Sequence, residues 1–259
     1  MNLQESLENA DEHKKHRIGS LVHQIKQVKA EIHDAVDKIQ EDVEKAQSLE
    51  SEIRGKKSLT SKNLTAAILL AKDADSKLQI LNEVELQELS LEENPSKGFE
   101  ALIKCCLYLL ANVVSDSIIE VNSDKQPRET SWKACQKLLR NGKAFIEGFC
   151  HLRHQIDNME VVHSNIECVK LILGESFFDF EKLVSTSETI SNIYSYIQDI
   201  VGYYDLIFLS KAAENDTRQA TMQLEMSSAQ LLRGQEEIQK LKDVSDELYN
   251  ELSKATAEP

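Results

Sequence analysis

The chain has 259 residues, with 30 Lys and Arg against 44 Asp and Glu, which gives a formal net charge of −14. Eight Gly and three Pro are too few for an all-β protein, which needs a turn every ~8–12 residues. The absence of any run of 18 apolar residues argues against a membrane partner, and a pI near 5.0 argues against nucleic acid. The composition predicts an all-α protein.

The first predicted element is a long amphipathic helix. Its apolar or small residues recur in steps of three and four, close to the 3.5 average of a coiled-coil seam. These residues are Ile18, Leu21, Ile25, Val28, Ile32, Ala35, Ile39, Val43, Ala46, Leu49 and Ile53. Gly55 and the two lysines after it dilute the pattern. We expect it to resume at Leu64, Ile68, Ala71, Ala74, Leu78 and Leu81.

The middle of the chain reads as a small helical bundle. Asn94 and Pro95 predict an N-cap followed by Pro at the first helical position, and 98–114 is apolar enough for a core helix. A polar loop is predicted over 123–131, and Trp132 opens the next helix. Further core residues are predicted at Phe145, Ile146, Phe149, Ile156, Val161, Val162, Ile166, Val169, Ile172, Phe177, Phe178 and Phe180.

The C-terminal third carries a second long helix pattern. A strong stripe at Ile190, Ile193, Ile197, Ile200, Tyr204 and Ile207 precedes a weaker one at Leu224, Leu231, Ile238, Leu241, Leu248 and Leu252. We expect Ser228 and Ser245 to lie in this weaker seam, which is therefore loosely specified. A helix with such a stripe must bury it against a partner.

The pattern divides the chain into a first coiled-coil arm at 1–93, a helical tip domain at 94–190 and a second arm at 191–259. The predicted fold is an all-α, long antiparallel coiled-coil stalk capped by a small helical-bundle tip, with the arms folded back on each other. The alternative is that each arm pairs with a second copy of the chain.

Three segments resemble the stalk and microtubule-binding tip of dynein heavy chains. The segment KLQILNEVELQELSLEENPSKGFEALIKCCLYLL at 77–110 is similar to the end of that family's first stalk helix and its first tip helix. SWKACQKLL at 131–139 resembles a tip helix that begins with Trp and Lys. FFDFEKLVSTSETISNIYSYIQDIVGYYDLI at 177–207 is similar to the last tip helix running into the second stalk helix.

The resemblance implies a non-catalytic module that binds microtubules through the tip. In that family, the two stalk helices slide past each other to report tubulin binding to an ATPase ring. The implied localisation is cytoplasmic and cytoskeletal, including a cilium or flagellum. The chain could be a stand-alone relative without the ring or an excised piece of a larger motor.

The sequence departs from the family at positions that bear on tubulin binding, because tubulin presents an acidic surface. Glu100 aligns with a family Lys, and Ser185 and Ser195 align with two usual basic positions. Ala212 replaces a usual Pro. The segment 94–190 holds 11 Lys and Arg against 13 Asp and Glu. These departures predict weaker binding.

One basic stripe remains on the helix that opens at Trp132. Lys133, Lys137 and Arg140 share one face of that helix, because they are spaced by one and two turns. With the resemblance, the predicted microtubule-binding residues are Lys97, Lys104, Arg128, Lys133, Lys137, Arg140 and Lys143. The stripe also fits an ordinary solvated helix face.

Other chemistry has little support in the sequence. Gly142-Lys143 and Gly55-Lys56 do not complete a phosphate-binding loop, so no cofactor is predicted. Cys150, His151 and His154 would need Cys168 or His163 to complete a zinc site, and ordinary helix positions explain them better. The alternative function is a coiled-coil interaction scaffold whose degenerate tip has lost tubulin affinity and which binds other coiled-coil or cytoskeletal proteins.

Overall fold

The computed structural model describes residues 3–175, 183 and 187–257, with side chains from residue 12 onward. Within these residues the fold is all-α, as predicted. They contain no β-strand, and the β-type pairing among them is an isolated antiparallel bridge between Val121 and Pro127. The helices are α1 (Leu3–Leu78), α2 (Glu83–Leu89), α3 (Lys97–Leu110), α4 (Trp132–Arg140), α5 (Gly142–Asp157), α6 (His163–Leu173) and α7 (Glu188–Ala257).

The chain forms two compact units. Unit 1 combines residues 1–57 with residues 215–259, and unit 2 holds residues 58–214. Both long helices contribute to each unit, whereas α2 to α6 belong to unit 2. The boundaries at 93 and 190, drawn from composition, remain predictions.

Unit 1 is an antiparallel coiled coil of α1 and α7. The Lys29 ammonium lies 5.3 Å from the ring centroid of Tyr249. Further along α1, Lys56 Nζ lies 3.2 Å from Asp216 Oδ2. The two helices therefore run in opposite directions, since residues further along α1 contact residues nearer the start of α7. This confirms the predicted antiparallel pairing of the two arms within one chain.

The predicted seam of unit 1 is confirmed. All eleven seam residues from Ile18 to Ile53 are buried or half-buried. The weaker stripe of α7, from Leu224 to Leu252, is half-buried throughout, and Ser245 lies in the seam as expected. Ser228 does not, because the half-buried position there is Ser227; the exposed hydroxyl of Ser228 donates to the carbonyl of Leu224 in the same helix.

The seam of α1 continues through Gly55 without a change of phase. Leu64 and Ile68 were expected in the seam, but they are 37% and 54% exposed. The seam positions there are filled by Lys56, Thr60, Asn63, Ala67, Leu70, Ala71 and Ala74. Apart from Leu70, these side chains are small or polar and carry little hydrophobic signal, so Leu64 and Ile68, each one position beyond a seam residue, gave the wrong phase.

The core of unit 2 forms where the helices between α1 and α7 pack on them. The predicted stripe of α7 from Ile190 to Ile207 is buried, and so are nine residues of α3, including Phe99, Leu102 and Cys106. Phe149 of α5 contacts the ring of Tyr196 on α7, with centroids 4.6 Å apart. The predicted core helix is confirmed, although it ends at Leu110 rather than at 114.

Most of the other predicted core residues also lie inside unit 2. Phe145, Phe149, Ile156, Ile166 and Val169 are buried. Ile146, Val161, Val162 and Ile172 are half-buried. The predictions for Phe177, Phe178, Phe180 and Ser185 fall outside the described residues.

The start of α3 differs from the prediction. Ser96, not Asn94, is the N-cap, and its Oγ accepts a hydrogen bond of 3.2 Å from the amide of Phe99. Asn94 and Pro95 belong to the preceding loop. The N-cap needs an extended backbone and a side-chain acceptor next to the first turn, and the position of Ser96 meets both conditions.

Candidate microtubule-binding surface

The candidate site is built around α4, whose two faces differ sharply. Cys135, Leu138 and Leu139 are buried, and burial raises the pKa of the Cys135 thiol to about 12. The opposite face carries Lys133 and Lys137, both exposed to solvent. Because the apolar positions fix which face turns inward, the basic residues between them must face outward.

Polar contacts at its first turns hold α4 in place. The indole of Trp132 donates to the carbonyl of Glu92 at 2.8 Å, and its ring packs edge-on against Phe99 at 5.3 Å. The amide of Gln136 donates to the carbonyls of Ser90 and Glu92 at 3.0 and 3.1 Å. The rotation of α4 about its axis is thus fixed by bonds to the segment that follows α2.

A cavity of about 310 Å³ lies beside the exposed face of α4. Four of the seven predicted site residues line it, namely Arg128, Lys133, Lys137 and Arg140. Its apolar wall comes from Leu107, Ile118, Ile119 and Ala134, and two carboxylates, Glu120 and Glu129, complete the lining. The fold therefore gathers a basic cluster, which we define as Arg128, Lys133, Lys137 and Arg140.

The loop between α3 and α4 brings Arg128 to the cluster. The Asn122 side chain accepts hydrogen bonds of 2.9 Å from the amides of Asp124 and Gln126. Lys125, at the tip of this turn, has a positive φ of 60°. Arg128 then donates from Nε to the carbonyl of Val121 at 2.9 Å, which holds it beside α4.

The other three predicted residues are placed differently. Lys97 is exposed at the first residue of α3, away from the cavity lining. Lys104 is half-buried and pairs with Glu100 at 2.7 Å, and Lys143 lies 3.8 Å from Glu147. The pair with Glu100 neutralises the charge of Lys104 within α3.

The cations of α4 differ from Lys104 and Lys143 in this respect. Among the residues that the structure describes, Lys133, Lys137 and Arg140 have no carboxylate within ion-pairing distance. An unpaired, exposed cation keeps its charge available to an acidic partner. Lys97 also has no ion pair among the described residues, so what distinguishes the cluster is that several unpaired cations converge on one cavity.

The apolar wall is the element of the site that the sequence analysis missed. Ile118 and Ile119 lie between the polar residues 115–117 and the predicted polar loop at 123–131, where nothing in the local pattern requires two adjacent β-branched residues. Ile119 is 3% exposed, and Ile118 is half-buried at the cavity. This pair of adjacent isoleucines was the sequence feature that could have indicated the apolar wall.

Other kinds of site have little support in the structure. The described residues contain no group of three or more His, Cys, Asp and Glu side chains that could hold a metal ion. All five cysteines are free, and only Cys150 is exposed. In the described part of the chain, no helix has the length and apolarity that crossing a bilayer requires.

Comparison with known proteins identifies the family. The model of the microtubule-binding stalk of the dynein motor matches residues 3–259. The chain is 24% identical to dynein heavy chain-like protein 2 of Plasmodium falciparum over 145 residues, which is 56% of the chain and 3% of that protein. It is 24% identical over 152 residues to the flagellar outer arm dynein alpha chain of Chlamydomonas reinhardtii, covering 59% and 3%.

The flagellar outer arm dynein beta chain of the same alga is 23% identical over 195 residues, which is 74% of the chain and 4% of that protein. The chain thus spans only 3–4% of the length of these curated relatives. The family model, by contrast, covers it almost from end to end. The chain belongs to the family of microtubule-binding stalks of dynein motors.

Proposed function

We propose that the chain is a non-catalytic stalk module that binds microtubules, and that the basic cluster beside α4 contacts tubulin. The observation that carries the proposal is the convergence of four cations on one cavity, three of them without an ion-pair partner in the described residues. The family description supplies the partner, and the acidic surface of tubulin supplies the complementary charge. Flagellar relatives favour a cytoskeletal location.

The free energy that these cations contribute to tubulin binding depends on how far they are desolvated in the complex. Three exposed rim contacts at about 0.5 kcal/mol each would together change affinity about tenfold. Three charge-assisted hydrogen bonds at about 1.5 kcal/mol each would change it by about two-thousandfold. Loss of the α4 cations is therefore expected to weaken binding by at least about tenfold at low salt.

Co-sedimentation with polymerised tubulin across a salt series tests the proposal. The chain should pellet with microtubules at low salt, and the pelleted fraction should fall as salt screens the contact. The triple variant Lys133→Glu, Lys137→Glu and Arg140→Glu should bind at least about tenfold more weakly.

A matched control separates a local contact from the effect of net charge. Lys26→Glu, Lys57→Glu and Lys62→Glu reverse three exposed lysines of α1 and change the net charge by the same amount. This control should bind within about twofold of the parent chain, since screened charges away from the contact contribute little. Equal losses in both triple variants would argue for non-specific attraction. No pelleting at low salt would reject the proposal and favour the scaffold alternative.

A further inference from the structure

Helices α5 and α6 are fastened to α7 by several polar contacts. The hydroxyl of Tyr196 donates to the carbonyl of Phe149 at 3.0 Å, and the hydroxyl of Tyr203 donates to Asp157 Oδ1. These two bonds lie two turns apart on both helices, so together they prevent α5 from shifting along α7. On α6, Lys170 Nζ lies 2.6 Å from Asp205 Oδ1.

Within the described ranges, helix α1 makes fewer polar contacts with the same helices. Among the described residues, one ion pair joins α1 to α2–α6, between Arg153 Nη1 of α5 and Asp75 Oδ2 of α1 at 2.7 Å. The guanidinium also lies over the ring of Tyr203, 5.8 Å from its centroid. Arg153 thus touches both long helices of unit 2 at one level.

The seam between α1 and α7 in unit 2 resists a shift of α1 only weakly. On α1 it includes Ala67, Ala71 and Ala74, whose single methyl groups interlock less than the larger side chains of Leu70 and Leu78 beside them. Two buried hydroxyl oxygens, Thr60 Oγ1 and Ser210 Oγ, have no hydrogen-bond partner in the described part of the chain. Unsatisfied hydroxyls lower the advantage of the observed register over a shifted one.

We propose that Arg153 is a register latch, which holds α1 at one axial position against α7 through its ion pair with Asp75. Because α5 is fixed along α7 by Tyr196 and Tyr203, a contact from α5 to α1 sets the position of α1 relative to α7. The side chains of Arg153 and Asp75 are 41% and 49% exposed, so the pair opens at modest cost. The inference concerns residues 58–78 and 188–214 and does not depend on tubulin.

Disulfide trapping measures the register directly. The observed register brings Leu70 close to Gly202, where an added Cβ would lie 3.0 Å from Leu70 Cδ1. Cysteines at 70 and 202 therefore report the observed register. Cysteines at 70 and 206, or at 70 and 198, report shifts of one turn in either direction. Replacing Cys150 and Cys168 by Ser removes the two thiols that are not buried.

In the otherwise unchanged chain, oxidation at low protein concentration should yield the 70–202 disulfide and little of either shifted pair. Arg153→Gln should raise a shifted pair about two- to fivefold relative to 70–202, the range expected for loss of an exposed ion pair. Asp75→Asn should do the same from the α1 side. The charge swap Asp75→Arg with Arg153→Asp should restore the original ratio.

Lys143→Gln is the matched control, because it removes an exposed ion pair that lies within α5, between Lys143 and Glu147. It should leave the disulfide ratio unchanged, since it alters neither the pair between Arg153 and Asp75 nor the bonds from α5 to α7. Unchanged ratios in both Arg153→Gln and Asp75→Asn, with helix content retained by circular dichroism, would overturn the proposal. So would a charge swap that behaves like the single variants.

Discussion

Replacing Tyr196 by Phe tests whether the buried hydroxyl stabilises unit 2. Tyr196 is 2% exposed, and its hydroxyl donates to the carbonyl of Phe149 at 3.0 Å. That carbonyl lies inside α5, where an intrahelical amide also donates to it, so the change does not leave it unsatisfied. The ring and its contact with Phe149 are kept. We therefore expect only the net value of one hydrogen bond to be lost, about 1 kcal/mol of the free energy of unfolding.

Trp132 provides the assay, because it is the only tryptophan in the sequence and lies in unit 2. Its ring packs against Phe99, so its fluorescence should change when that packing is lost. With a urea m value of about 1–3 kcal/mol/M, a loss of 1 kcal/mol lowers the midpoint by roughly 0.3–1 M. Tyr249→Phe, at a 41% exposed ring in unit 1, should leave this midpoint unchanged.

The expected loss of stability is refuted if the urea midpoint of Tyr196→Phe equals or exceeds that of the parent chain while the m value is unchanged. That result would mean that desolvating the hydroxyl costs as much as its hydrogen bond gains. A change in slope would instead show that the variant altered the extent of unfolding.

Two further predictions concern the start of α3 and the thiols. Ser96→Ala should lower the free energy of unfolding by about 1 kcal/mol through loss of the N-cap of α3, whereas Asn94→Ala should change it little. Urea unfolding measures both variants, and equal effects would contradict the assignment of Ser96 as the cap. Under native conditions at pH 8, a thiol reagent should modify Cys150 at least about tenfold faster than Cys105 and Cys135, because burial raises both of their pKa values to about 12. Mass spectrometry of the labelled peptides checks this, and comparable rates would show that the buried thiols are accessible.

The coiled coil was predictable because its seam in unit 1 is built from large aliphatic residues at regular spacing. The register around residues 58–70 was not, since Asn63 and Ala67 occupy seam positions while Leu64 and Ile68 are exposed, whereas Ala71 and Ala74 lie in the seam as expected. Hydrophobic periodicity assigns the seam to the larger side chains, but close approach of two helices favours small ones. Packing, rather than hydrophobicity, decides the phase there.

The candidate site was predictable where it depends on one helix. Lys133, Lys137 and Arg140 share a face by spacing alone, and the structure keeps them together. The loop between α3 and α4 decides what joins them, because its turn and its bonds bring Arg128 and Ile118 to the same cavity. Such contacts between distant segments have no local pattern in the sequence. The pairing of Lys104 with Glu100, by contrast, could have been read from their spacing of four.

Electron cryomicroscopy of microtubules decorated with the chain would test the proposed contact most directly. The proposal predicts density for the chain on the lattice, with α4 facing tubulin and the side chains of Lys133, Lys137 and Arg140 within about 4 Å of tubulin carboxylates. A decorated lattice on which α4 turns away from tubulin would contradict the assignment of the basic cluster as the contact surface.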